Sequence, residues 1–235
     1  MFNIKFNMMK TTILVLSISI LVGCSTGNQY TIKGTLNGFE GSEWVYVQKI
    51  WSEELQVDSA HIRNEKFSLK GTIDVPEIYA IFPQPNTEGC QPVCTFILEP
   101  AGLNIHLDTI SLFNDGTIVS GGELNEEFNV VFREKQEKFF NEIDNLSVRL
   151  NEADEDERNI IEQQIKDLNA AETKYTLDYI ESHPASPVSL YQLMWKYFSL
   201  PPDELGRILS VFSTEMKSTS VYKRIESDAQ KLKGI

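Results

Sequence analysis

The chain has 235 residues, 41% apolar and 23% charged, and its 34 acidic residues outnumber 21 basic ones for a formal net charge of −13. That balance argues against nucleic acid as a partner, because phosphate binding draws on clustered Lys and Arg. The apolar fraction is enough for one or two modest cores.

The first ten residues carry Lys5 and Lys10 and no acid, and TTILVLSISILV then supplies roughly a dozen mostly apolar residues. This is the pattern of a signal peptide, and the run is well short of the about 20 residues that span a bilayer. LVGC, Leu21 to Cys24, resembles the lipobox of bacterial lipoproteins. The resemblance implies that residues 1–23 are removed and that Cys24 becomes the lipidated first residue, with 24–29 as a tether. Two or more acyl chains suffice for stable anchoring. The expected location is the cell envelope, lipid-anchored to the outer membrane. STGNQ lacks the acidic cluster associated with surface export in some bacteria, which points to the periplasmic face. From Cys24 onward 19 basic residues face 34 acidic ones, a net charge of −15. Such acidity disfavours lying flat on an anionic leaflet and leaves the lipid as the attachment.

Residues 30–121 read as a β-rich domain. YTIKGTL, WVYVQ, VDSAHI, KFSLKGTI, EIYAIF, TFILE, LNIHLD and TIVS alternate with period two and are divided by Gly, Asn, Asp and Pro turns. Seven or eight short strands with short connections predict an antiparallel sandwich or partly open barrel. In KFSLKGTI, Phe67, Leu69 and Ile73 face a core while Ser68, Lys70 and Thr72 face water. RNEK, Arg63 to Lys66, supplies the hairpin before it.

Residues 122–235 have helical period and predict about five helices, so the fold class is α+β. Leu124, Phe128, Val131 and Phe132 lead through Phe139, Ile143 and Leu146 at steps of three and four. NEADEDER is a solvated connection or helix start. Ile161, Ile165, Leu168, Tyr175 and Ile180 make the second arm of a helical hairpin. Ser186 is placed to cap the next helix with Pro187 in its first turn. Val188, Leu190, Leu193, Met194, Tyr197 and Phe198 make that helix the most buried. Leu205, Ile208, Leu209 and Phe212 mark another, and a last one runs from about Val221 to near Gly234.

Chemistry-bearing residues are sparse. His61, His106 and His183 lack a second His or Cys at helical metal-pair spacing, so no metal or other cofactor is expected. Glu53-Glu54 and Glu126-Glu127 read as solvated faces. Trp44, Tyr46 and Trp51 suit either core packing or an aromatic ligand surface. CQPVC sets Cys90 and Cys94 around a proline. A redox thiol needs a helix N-terminus or a cation to lower its pKa, whereas here a strand follows and Glu88 precedes. Cysteines facing each other across a tight hairpin end, about 4.5 to 5.5 Å apart at Cα, suit a disulfide. Closing so small a loop contributes roughly 2 kcal/mol. A redox or copper site using Cys90 and Cys94 is the rival reading.

YTIKGTL, VDSA with KFSLKGTI, FILEPAG, SGGELNEEF and ESHPASPVS together resemble the N-terminal domain of unknown function in lipoproteins of the thiol:disulfide interchange, TlpA-like (AhpC/TSA) family. The resemblance covers about Gln29 to Leu232. In those relatives a thioredoxin-like domain with Trp-Cys-x-x-Cys usually follows the helices. This chain contains no Cys-x-x-Cys, so no catalytic residue and no redox activity are carried over. The expectation is a non-catalytic binding or docking module, with a thioredoxin-like protein or an envelope ligand as partner. A truncated remnant of a thioredoxin-like oxidoreductase is the other alternative.

Overall fold

A computed structural model describes residues 28–37, 43–52, 57–82, 92–108 and 118–233. The expected signal peptide, residues 24–27 of the expected tether with Cys24, Glu53-Glu54, Glu88 and Cys90 lie outside the described residues, while Gln29, expected in the tether, already opens the first strand.

All eight expected strands form: β1 (Gln29–Asn37), β2 (Trp44–Lys49), β3 (Val57–His61), β4 (Lys66–Thr72), β5 (Glu77–Phe82), β6 (Cys94–Leu98), β7 (Gly102–Asp108) and β8 (Ile118–Ser120). They make two four-stranded sheets, ordered β4-β1-β7-β8 and β3-β2-β5-β6. Asn64 and Glu65 take positive φ of 51° and 61°. This is the primed turn whose twist matches a hairpin, and it pairs Arg63 with Lys66. One pairing departs from the antiparallel expectation, because β1 and β7 run parallel, Thr31 opposite Gly102 through Asn37 opposite Asp108. Parallel neighbours need a long crossover. Here the chain visits the second sheet twice, with β4 between the visits, before it reaches β7, and a period-two pattern carries no information about strand direction.

The sheets close on each other through Ile32, Leu36, Phe67, Leu69, Ile105 and Leu107 on one side and Val45, Val47, Ile81, Phe96 and Leu98 on the other. The second sheet is covered on its outer side as well. Ile78 of β5 enters a core with Leu193, Tyr197, Leu205, Ile208 and Ile225, and Ile97 of β6 packs with Val131 and Val188. Every residue of β5 is therefore buried. The layers are an open sheet, a sheet covered by the helices over β5 and β6, and the helices themselves.

The helical layer comprises α1 (Glu123–Lys135), a π-helical segment (Gln136–Phe140), α2 (Asn141–Leu150), α3 (Glu155–Ser182), α4 (Pro187–Lys196), a 3-10 turn (Tyr197–Ser199), α5 (Pro202–Val211), α6 (Thr214–Ser218) and α7 (Ser220–Lys233). The acidic stretch starts α3, where the Asp154 carboxylate accepts from the Glu157 N–H at 3.0 Å. Ser186 caps α4 by accepting from the Val188 N–H at 3.2 Å, with Pro187 in the first turn. Phe198, expected in the core, is instead 75% exposed. The 3-10 turn ends α4 and turns the side chain out after Tyr197 has filled the core position.

Candidate functional site

FILEPAG, SGGELNEEF and ESHPASPVS meet at one seam between the covered sheet and the helices. Glu99, just after β6, accepts from the N–H groups of Leu124 and Asn125 at 3.0 to 3.2 Å. It caps the otherwise unpaired start of α1. Asn125 then pairs with the free edge of β6: its amide donates to the Ile97 carbonyl at 2.7 Å and accepts from the Ile97 N–H at 3.2 Å. The same side chain donates to Glu99 at 2.8 Å. Gly121 and Gly122 have φ of 82° and 87°, and a Cβ on Gly122 would lie 2.3 Å from the Glu99 carboxylate. Glu127, read as solvated, is half-buried and accepts from the Tyr179 hydroxyl and from Ser186 Oγ. That correction has a simple cause: the partners arrive from α3 and α4, 52 and 59 residues away. SGGELNEEF and ESHPASPVS thus hold the layers together.

Below this seam lies a buried charge cluster that sequence reasoning missed. Glu172 on α3 is fully buried and pairs with Lys135 on α1 and Lys196 on α4. Lys135 also donates to Thr176 at 3.1 Å and to Gln192 at 2.8 Å, and its ammonium sits 5.6 Å from the Phe140 ring centroid. Burial alone would raise the Glu172 carboxyl, but the two ammonium groups outweigh it and hold the group below its ordinary value. Burial lowers Lys135, partly offset by Glu172. The π segment begins directly after Lys135. It widens the helix where this cluster enters the layer.

Cys94 begins β6 and belongs to the sandwich core. Among the described residues it is a free buried thiol, with Sγ 3.6 Å from the Thr95 carbonyl oxygen. Burial pushes its pKa up to about 12, which opposes both nucleophilic attack and thiolate ligation of a metal. Pairing with Cys90 falls outside the described residues. The histidines do not converge. His61 leans on Trp44 at 4.9 Å, the Nδ1 of His106 lies 2.6 Å from the Thr35 hydroxyl, and His183 stacks on Tyr179 at 4.3 Å. Among the described residues no group of three or more His, Cys, Asp or Glu could hold a metal ion. In the same set no helix is long and apolar enough to cross a membrane.

Two surfaces remain. The first is aromatic. Trp195 and Phe198, one helical turn apart at the end of α4, are 70% and 75% exposed. Phe198 packs on Tyr197 at 3.9 Å, and Trp51 meets the same Tyr197 edge-on at 6.2 Å. Trp51 is itself 41% exposed and has φ of 54°, a left-handed conformation that bulky residues rarely adopt. Its turn is held by Ser220, which donates to the Ile50 carbonyl at 2.7 Å, and by the Ile50 N–H to the Ile78 carbonyl at 3.1 Å. Along α4 the aromatic row continues through Tyr191, whose hydroxyl lies 2.5 Å from Thr95 Oγ1 beside Cys94. Phe128 packs on Tyr191 at 4.6 Å. Trp44, for which core packing was one of two readings, is 42% exposed, because the helices do not reach that end of β2.

The second surface is the open side of the β4-β1-β7-β8 sheet. There Lys33, Lys66, Ser68, Lys70, Asn104 and His106 all point to solvent. The inward and outward sets on β4 match the alternation in KFSLKGTI.

No curated protein matches the chain. Residues 30–128, which take in both sheets, the Glu99 cap, Gly121-Gly122 and the first turns of α1, match the model of a family described as a domain of unknown function (DUF4369).

Proposed function

We propose that the protein is a non-catalytic docking module of the cell envelope, lipid-anchored through Cys24 to the periplasmic face of the outer membrane. Its partner is a thioredoxin-like protein, the kind of domain that follows the helices in the lipoproteins the sequence resembles. The supporting observation is the aromatic surface at the end of α4. Trp195 and Phe198 stay 70% and 75% exposed in a fold that buries Leu193, Met194 and Tyr197 in the same helix and the 3-10 turn that ends it. Aromatic side chains supply large contact area at low entropic cost and dominate interface energetics, and exposed clusters of them mark interaction sites. The buried Cys94 thiol and the buried Lys135–Glu172–Lys196 cluster serve packing in this reading. A thioredoxin-like protein should co-purify with the lipoprotein from solubilised membranes, and the double variant Trp195→Ala/Phe198→Ala should lose it. Equal recovery with both forms, or recovery of the lipoprotein alone, would reject the docking role.

A further inference from the structure

We infer that the open face of the β4-β1-β7-β8 sheet lies against the anionic headgroup layer of the membrane, a reading that rests on the proposed lipid anchor at Cys24. Between Cys24 and Gly121 the chain has five basic residues, Lys33, Lys49, Arg63, Lys66 and Lys70, against twelve acidic ones. Lys49 is used internally, 3.1 Å from Glu77. Three of the other four occupy one sheet face. Lys33 stands opposite Ser68, which lies between Lys66 and Lys70 on β4. At about 3.4 Å per residue along a strand and about 4.8 Å between strands, the three ammonium groups share a patch roughly 14 Å long. Arg63 pairs across the hairpin with Lys66 at its edge. None of these four takes part in an ion pair among the described residues. Glu65, in the hairpin turn beside Lys66, is the neighbouring acid.

The excess of acid elsewhere does not cancel this patch at a surface. Packed sheets stand about 10 Å apart and the helices lie a further layer away, whereas screening at physiological salt acts over about 8 Å. A leaflet touching the open face therefore interacts with its lysines more strongly than with the net charge of the whole chain. The side chains between the lysines are short and polar, Ser68 and Asn104 among them, and suit hydrated headgroups better than acyl chains. Geometry agrees, since β1 begins at Gln29 in this same sheet, and the five residues from Ser25 to Gln29 reach at most about 17 Å from the lipidated cysteine.

The test uses the full-length protein as isolated from its own membranes, combined with vesicles of phosphatidylcholine alone or of phosphatidylcholine with about a third phosphatidylglycerol. Lysines are acylated with a neutral reagent and quantified by peptide mass spectrometry. Lys33, Lys66 and Lys70 should react about fivefold more slowly on the anionic vesicles, the factor expected for a lysine near an anionic surface. The difference should vanish near 1 M salt. Lys174 and Lys231, exposed on α3 and α7, should react equally on both. Equal rates at the three sheet lysines would overturn the inference. So would the same protection from inorganic phosphate on phosphatidylcholine vesicles, since that would assign the face to a small anion. Protein that floats with the anionic vesicles alone would overturn the lipid anchor and support the basic face. Protein that floats with neither would overturn both.

Discussion

Substituting Glu172 with Gln is the sharpest probe of how the helical layer is held together. The glutamate is fully buried between two ammonium groups, and removing its charge leaves Lys135 and Lys196 facing each other. Both bind one carboxylate, so they remain within roughly 7 Å, where two like charges repel by about 2 to 3 kcal/mol at an effective dielectric near 20. Breaking a buried pair by deleting one partner costs about 3 to 5 kcal/mol in total. For a chain of this size each kcal/mol shifts Tm by about 2 to 4 °C, so Glu172→Gln should melt roughly 6 to 20 °C lower. The carboxyl is held below its ordinary value in the folded protein. It therefore adds stability above its unfolded pKa of about 4.3, and that stability is lost as pH falls through the lower folded value. Calorimetry from pH 7 down to pH 3 should show the gap between wild type and variant narrowing in acid. The triple apolar replacement Lys135→Met/Glu172→Leu/Lys196→Met should recover most of the loss, because no charge is left unpaired. A shift under 2 °C at pH 7, or a gap independent of pH, would refute the reasoning.

At the sheet-to-helix seam, Asn125→Ala strands the N–H and carbonyl of Ile97 and should cost about 2 to 4 kcal/mol in chemical denaturation, with Asn125→Asp recovering less than half. Gly122→Ala combines positive φ with a clash against Glu99 and should cost at least about 1 kcal/mol; an unchanged midpoint would contradict the cap geometry. With reductant present, Cys94 in the folded protein should resist alkylation at pH 8, four units below its shifted pKa of about 12, and react once denaturant is added. Modification at the rate of an exposed thiol would contradict its burial. Trp195→Ala and Phe198→Ala should each leave Tm within about 2 °C, because both side chains face solvent, and a larger drop would mean that they serve the fold.

Much of the architecture was legible because each half of the chain keeps one period. Alternation such as Phe67, Leu69 and Ile73 against Ser68, Lys70 and Thr72 reports which face is wet. Asn64-Glu65 reports a hairpin, and Ser186-Pro187 a helix start. What stayed hidden depends on separation in the chain. The parallel pairing of β1 with β7 joins segments about seventy residues apart. Asn125 completes an edge strand it does not belong to, and Glu172 meets lysines 37 and 24 residues away on two other helices. Phe198 misled because a turn, invisible to periodicity, rotates the chain after Tyr197. The aromatic surface had a sequence signal that went unused: Trp195, beside Lys196, lies outside the dense apolar set assigned to α4. The basic sheet face was also present in the letters, yet a net charge taken over the whole chain conceals it.

Docking through the aromatic end of α4 is the central claim, and site-specific photo-crosslinking in cells tests it most directly. A photo-reactive phenylalanine analogue at position 195 of the membrane-anchored protein should form an adduct with a thioredoxin-like protein, identified by mass spectrometry. The same analogue at position 210, on the exposed side of α5, should not. No adduct at position 195, or equal adducts at both positions, would contradict the account.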